Sequence, residues 1–329
     1  MSRIEKIKIE QAIGKLLAHD VTLIDIREKF KGPLFKKGYV IQEEDIEKFK
    51  RLGKEHVYII NLSPDEIHED DAAIELAESL MREGTYRDRQ PSEGKINIYS
   101  SFKGLTRIDR EKLLQFNLLK VPSCPTLPSN KVVKKGQKVA SVRIVGLFTS
   151  KKIIEKAKEI VKGGIVSVRP FLKKNIGIIA TGNEVFYGKI EDTFTPRLNQ
   201  KIKSTYNCNI AYTAKAPDKK EVIETEIEKS IQIGCDVILI TGGTSVDPDD
   251  VTYLAIKNKA KTFSRGLPIQ PGNYLSIGYI GNVAILGIPA GAVYSSRSSL
   301  DFILPHIAIG EKLTEKEIYD LGYGGLLQS

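Results

Sequence analysis

"DVILITGGTSVDPDDVT", residues 236–252, decides how the C-terminal half of this 329-residue chain is read. Four consecutive large aliphatics, Val237 to Ile240, leave no face for water, so the run reads as a strand buried on both sides, as in a parallel sheet. Residues 242–250 cannot continue the strand: they hold two glycines, two hydroxyls, then three carboxylates with a proline among them. Gly242 and Gly243 let the backbone take φ > 0 and approach a ligand without a Cβ in the way. Thr244 and Ser245 add hydroxyl donors, and the backbone N–H groups leading into a helix from Val251 favour an anion such as a phosphate. Asp247, Asp249 and Asp250 would repel that anion at short range. One of them is expected to cap the helix. The others are candidates to hold Mg²⁺ beside a substrate phosphate or to accept hydrogen bonds from an N–H-rich heterocycle.

Outward from this stretch, strands alternate with helical stripes. "IGIIATG" (176–182) reads as a strand. Phe194, Leu198, Ile202 and Tyr206 repeat every four residues, with Pro196 near the helix start, and "CNIAYTAKAP" reads as the next strand. Val222, Ile223, Ile227 and Ile231 form a second stripe stopped by Gly234, and "VTYLAIKNK" a further helix. The alternation predicts an α/β domain: three layers around a doubly wound, mostly parallel sheet. "YLSIGYIGNVAILGIPA" adds two strands across a Gly281-Asn282 turn, at the sheet edge or beside it. Ligands of such sheets sit outside the C-terminal strand ends, which singles out a second transition, "TGNE", Thr181 to Glu184. Asn183 and Glu184 have an alternative as a cap and first-turn acid, and Asp192 in "GKIEDTF" has one as a cap ahead of Pro196.

The N-terminal half reads as α+β and strand-rich. Ala12, Ile13, Leu16 and Leu17 have helical spacing before the β-branched "VTLIDI". "KKGYVIQEEDIEKFKRLGKEHVYII" gives strand, short helix stopped by Gly53, and strand. Residues 1–62 are therefore expected to form a small module, loosely similar to β-clip modules. A long helix is expected to open at Ser63-Pro64 and end at Gly84, within an α+β middle region over 63–172. The α/β domain is then expected over 173–310, followed by a tail, 311–329, that carries a capping box from Thr314 to Glu317.

Composition removes several function classes. The net charge of +9 lies in the N-terminal half: residues 1–170 hold 33 basic and 24 acidic side chains, and residues 171–329 hold 17 of each. Acidic clusters such as "EEDIE" and "HEDDAA" interrupt the basic half and no aromatic–basic motif accompanies it, so no nucleic-acid partner is expected. Residues 267–296 carry no charge, yet prolines and glycines cut them into strand-sized runs, so no membrane span is expected. "MSRIEKIKIE" lacks an apolar signal segment, and a cytoplasmic location is the expectation. Cys124, Cys208 and Cys235 are too scattered for a disulfide framework or a zinc site and are expected to be buried thiols. There is no G-x-S-x-G, no G-x-G-x-x-G after a strand, and no Walker A motif.

The ordered set "IGIIATGNEVFYGKIEDTF", "DVILITGGTSVDPDDVT", "PGN" (271–273) and "GIPAGA" (287–292) resembles the molybdopterin-binding domain shared by the MoeA, MogA and gephyrin proteins, over about residues 174–310. "EQAIGKLLAHDV" also looks like the start of MoeA-type proteins. The resemblance implies a cofactor-binding set of Thr181, Gly182, Asn183 and Glu184 along one side of the pterin. Gly242, Gly243, Thr244 and Ser245 would take the terminal phosphate, with Pro271, Gly272, Pro289, Ala290 and Gly291 near the domain end. It also implies catalytic carboxylates at Asp250, Asp192 and Asp247, and Mg²⁺ at Asp249 and Asp250. The implied activity is a molybdopterin molybdenumtransferase, with molybdate as substrate, an apo-molybdoenzyme as recipient and a homodimer as assembly. Two departures stand out: "IPAGA" replaces the family's P-G-N-P, and Asn183 stands where many members have Asp. A non-catalytic pterin-binding carrier or sensor is therefore the second reading. A CinA-like hydrolase ranks third, because no deamidase-like second domain is seen.

Overall fold

The computed structural model describes residues 4–25, 30–92, 94–243 and 251–327, and divides into two compact units, 1–169 and 170–329. Residues 1–62 and 63–169 both belong to the first unit, and residues 311–327 to the second.

In the C-terminal unit six strands form one sheet: β1 (Lys174–Thr181), β2 (Cys208–Ala216), β3 (Val237–Thr241), β4 (Thr262–Arg265), β5 (Ser276–Ile280) and β6 (Val283–Ile288), in the order β2-β1-β3-β6-β5-β4. The first four in that order are parallel, and β5 and β4 add antiparallel partners. Every residue of β3 is buried, which is what its unbroken aliphatic run demands. Register aligns Ile178 with Leu239 and Leu239 with Leu286 on one face, and Ile179 with Ile240 and Ile238 with Ile285 on the other. Helices α1 (Asn183–Phe186), α2 (Phe194–Thr205), α3 (Lys220–Gln232), α4 (Val251–Lys259), α5 (Ala290–Tyr294), α6 (Leu300–Ala308) and α7 (Glu315–Asp320) connect and cover the sheet.

Ile223 and Ile227 of α3, with Ala255 and Ile256 of α4, pack on the face carrying Ile179, Ile238, Ile240 and Ile285. The opposite row, Ile178, Leu239 and Leu286, is equally buried, and the buried Leu198 and Ile202 of α2 lie outside that first cluster. The result is the three-layer α/β arrangement that the alternation predicts. The β5–β6 hairpin differs in one respect: β6 lies inside the sheet against β3, and the short β4 forms the edge. Thr314 and Glu317 make the expected capping box at α7, and the buried Leu313 and Ile318 tie that segment to its unit.

Among the described residues the N-terminal unit contains five small sheets. One core spans Ile7 to Ile59, with Phe35 and Phe49 stacked at 4.2 Å. The other spans Ala72 to Val168 around the Glu69–Leu80 helix. Two expectations are corrected here. The helical spacing over 12–17 yields only a 3₁₀ turn, Ile9–Ala12. Gly14 takes φ +75° behind it, and Leu16–Leu17 pair as a strand with Ile59–Ile60. The long helix does not open at Ser63: Glu66–His68 first pair with Phe148–Ser150 as a strand, and His68 becomes the cap.

Candidate functional site

The parallel strands bring their C-terminal ends to one edge of the sheet. Thr181 aligns with Ala216, Ala180 with Thr241, and Thr241 with Ile288. The turns that leave these strands, 182–184, 217–218, 242–243 and 289–291, are therefore neighbours, with adjacent strands about 4.8 Å apart.

Thr181 is the junction of the group. Its buried hydroxyl donates to the Thr241 carbonyl at 2.9 Å and lies 3.2 Å from the hydroxyl of Thr252, which is fully buried in the first turn of α4. One side chain thus links the end of β1, the end of β3 and the start of α4. Gly242 folds directly over it, with φ +87°, and a Cβ there would collide with the Thr181 carbonyl oxygen. Both the dihedral and the space require glycine. Gly243 follows with φ +53°. Thr181 therefore shapes the corner through contacts inside the protein, and the backbone of Gly242 forms its outer surface.

The "TGNE" turn opens the short α1, with Gly182 as its cap at φ +133°. Asn183 is held by a reciprocal pair: its N–H donates to Asp218 Oδ2 at 2.9 Å, and the Asp218 N–H donates to Asn183 Oδ1 at 3.2 Å. Asn183 and Glu184 are exposed. Asp192 uses Oδ1 to accept from the N–H groups of Phe194 and Thr195, both at 3.0 Å, which orients its carboxylate on the start of α2.

Pro271 and Gly272 adjoin the start of α5. The Ser299 hydroxyl donates to the Gly272 carbonyl at 2.7 Å, and Gly291 stands close enough that a Cβ on it would be 3.7 Å from the Gly272 nitrogen. Pro289 caps α5, whose first residues are Ala290 and Gly291. Tyr294 at its end bonds Thr193 at 2.8 Å and lies under the Arg197 guanidinium at 4.5 Å, tying α5 to α2.

Thr244, Ser245, Asp247, Asp249 and Asp250 lie outside the described residues. Among the described residues no group of three or more His, Cys, Asp or Glu side chains is placed to hold a metal ion. Burial pushes the Cys124 thiol up to about 12 and Cys208 up to about 11, so neither supplies a thiolate nucleophile at neutral pH.

Asp218 and Thr252 are site residues that the sequence reading passed over. "APD", 216–218, follows a parallel strand and precedes a helix, so the strand-end rule that singled out "TGNE" applies to it equally. Thr252 carried no signal, because a threonine in the first turn of a helix is ordinary.

Two families match the chain. Residues 177–319 match the family described as "Probable molybdopterin binding domain", and residues 6–61 match a domain of unknown function, DUF8806. The molybdopterin molybdenumtransferase of Haemophilus influenzae is 26% identical over 157 residues, covering 44% of this chain and 37% of that protein. A CinA-like protein of Petrotoga mobilis is 37% identical over 79 residues, covering 24% and 19%. The chain thus spans well under half the length of either relative. Among solved structures, the molybdopterin biosynthesis enzyme MoaB of Thermus thermophilus is similar with 22% identity and a TM-score of 0.36, over 43% of this chain and 99% of that one.

Proposed function

We propose, from the match of residues 177–319 to the family described as "Probable molybdopterin binding domain", that this chain serves molybdenum cofactor biosynthesis. It holds molybdopterin or its adenylylated form at the ends of β1, β3 and β6 and assists the entry of molybdate into the dithiolene. The observation that carries the reading is the packing of Gly242 on Thr181, which presents bare backbone at the point where a phosphate would be held.

In this proposal Gly242, Gly243, Thr244 and Ser245 take the phosphate. Thr181 to Glu184 border the pterin, with Asn183 fixed by Asp218, and Pro271, Gly272, Pro289, Ala290 and Gly291 close the remaining side. Asp250, Asp192 and Asp247 are the carboxylates assigned to the exchange of the adenylyl group for molybdate. Mg²⁺ at Asp249 and Asp250 would screen the phosphate charge. The described carboxylates nearby, Glu184, Asp192 and Asp218, form no metal-holding group, so no step is assigned to the ion.

The proposal extends to a cytoplasmic homodimer that passes its product to an apo-molybdoenzyme, on the strength of the family resemblance. No helix among the described residues is long and apolar enough to cross a membrane. Residues 6–61, matched by their own family, are proposed to be a separate module within the N-terminal unit.

The test is activation of an apo-molybdoenzyme by purified protein with molybdate. Asp250→Ala is expected to retain bound pterin and fail to activate. Bound pterin without activation by the wild type would reduce the chain to a carrier.

A further inference from the structure

In the N-terminal unit a cavity of ≈ 380 Å³ is lined by Lys37, Glu69, Arg143 and the 144–147 loop. Its buried carboxylate is answered from within, since the Glu69 side chain is 4% exposed and lies 3.0 Å from the Lys37 ammonium. Arg143 also belongs to a sheet face that gathers cations without such partners.

That sheet has the strand order Pro122–Ser123, Lys138–Ile144, Lys95–Ser100 and Thr85–Arg87, with every pairing antiparallel. Ile96, Ile98, Val142 and Ile144 turn one face into the core. Alternation puts Lys95, Asn97 and Tyr99 on the other face, where register sets Arg143 opposite Lys95, and Lys138 and Tyr86 on either side of Tyr99. Tyr86 and Tyr99 stack with ring centroids 5.4 Å apart. Tyr86 is 46% exposed, so much of its ring stays open to solvent.

The turn entering the Lys138–Ile144 strand adds Lys134 and Lys135 to this group. Gly136 fixes it there: its N–H donates to the Ser100 carbonyl at 2.8 Å, and a Cβ on it would lie 3.8 Å from the Tyr86 hydroxyl. Lys134, Lys135, Lys138 and Arg143 are exposed. Lys95, Lys134, Lys135 and Lys138 make no ion pair among the described residues. Asp88 stands among them, but its Oδ2 already accepts from the Asn97 N–H at 3.0 Å and from the Asn97 side-chain amide at 2.8 Å. Like charges held together oppose folding, and a polyanion laid across them relieves the repulsion.

Charge alone fits any polyanion, and the tyrosines narrow the choice. An open ring in the middle of a basic face suits an unpaired base, with the phosphates on either side running to the lysines. Lys138 and Arg143 stand roughly 15 Å apart along their strand, the reach of a few nucleotides. We propose that this face binds single-stranded nucleic acid, with Tyr86 and Tyr99 stacking a base and Lys95, Lys134, Lys135, Lys138 and Arg143 taking phosphates. Three strands and a turn assemble the set, which is why no contiguous stretch of sequence points to a nucleic-acid partner. The face lies wholly within the N-terminal unit and takes no part in the C-terminal chemistry.

The test is fluorescence anisotropy of labelled oligo(dT) and oligo(U) titrated with the full chain, with an oligo(dT)·oligo(dA) duplex as a second probe and polyglutamate as competitor. The expected result is binding of the single strands, weakening with salt at a log–log slope of roughly −0.7 per phosphate held. The duplex keeps its bases stacked inside and polyglutamate has none, so both are expected to bind about fivefold more weakly or worse. Tyr86→Ala is expected to lower affinity about fivefold or more with the salt slope unchanged. Lys134→Glu with Lys135→Glu is expected to lower it at least tenfold and to flatten the slope by about 1. Both variants alter exposed side chains, and circular dichroism checks that they fold. No binding of either single strand below about 100 µM, or full affinity in either folded variant, would overturn the proposal. So would a duplex bound as tightly, or polyglutamate competing as well as the oligonucleotide, which would make an acidic protein surface the occupant.

Discussion

The corner around Thr181 and Gly242 and the cavity around Glu69 both lie where a strand or loop meets a helix, and they are built from opposite materials. The first is made of backbone and neutral hydroxyls: the Thr181 side chain is partnered and Gly242 contributes only main chain. The second sets charged side chains beside an apolar loop, and its buried Glu69 carboxylate lies 3.0 Å from the Lys37 ammonium. A backbone-built surface depends on shape and tolerates no Cβ. A charge-built one depends on pairing and protonation. The two places should therefore fail under different substitutions.

Gly242→Val should have the largest effect. The αL-type dihedral costs about 1–2 kcal/mol for a residue with a Cβ, and the collision with the Thr181 carbonyl adds about 1–3 kcal/mol. Gly234→Ala is the companion variant, because Gly234 has φ +90° and open space around it. The difference between the two, measured by calorimetry of the C-terminal transition, isolates the contact. Equal losses would show that conformation alone requires glycine at 242.

Charge chemistry in the N-terminal unit supplies the next effect. Asp45 is buried, and burial alone would raise its pKa. Hydrogen bonds from the Tyr39 hydroxyl at 2.7 Å, Lys48 at 2.9 Å and the Gln42 N–H at 3.1 Å outweigh that and hold it below the usual carboxylate range. Tyr39 is pushed up to about 12, first by its bond to Asp45 and then by burial. Because the folded pKa is depressed, this stabilisation is complete above the unfolded value, near 3.9, and is lost as pH falls through the folded pKa. Asp45→Asn should cost about 2 kcal/mol at pH 7 and progressively less below about pH 4, in urea melts at several pH values. No such trend is expected at Thr181, whose hydroxyl partners among the described residues, Thr241 and Thr252, do not ionise.

Smaller effects sharpen the corner itself. Thr181→Val removes the donor to Thr241 and should cost about 1–2 kcal/mol. Adding Thr252→Val should cost less than it does alone, since the two hydroxyls are 3.2 Å apart; strict additivity in denaturant melts would mean that they do not interact. The smallest stability change, about 0.5–1 kcal/mol, is expected at Asp218→Ala, whose partner Asn183 is exposed. Its mark should be severalfold lower recovery of bound pterin, partly restored in Asp218→Asn.

The C-terminal unit is legible because a strand buried on both faces writes its burial into consecutive residues. Val237 to Ile240 and Ile178 to Ala180 read as strands without any partner being known. Glycines at strand ends then mark where the chain must turn tightly. The N-terminal unit is less legible because its short antiparallel strands take their pairing from distant residues. Leu16 and Leu17 are helix-compatible by spacing and become a strand only against Ile59 and Ile60. Glu66 to His68 likewise depend on Phe148 to Ser150. Within the site, residues with a backbone reason, Gly182 and Gly242, were visible in advance. Asp218 and Thr252 act through partners 35 and 71 positions away; only its place after a parallel strand marks Asp218, and nothing local marks Thr252.

The most direct test of the central claim is recovery of molybdopterin from protein purified out of a cofactor-producing host, read as the fluorescent oxidised pterin released by acid. The account predicts a clear yield from the wild type and its loss in folded protein carrying Ser245→Ala with Gly243→Val. Equal yields from both proteins, or none from the wild type, would contradict it.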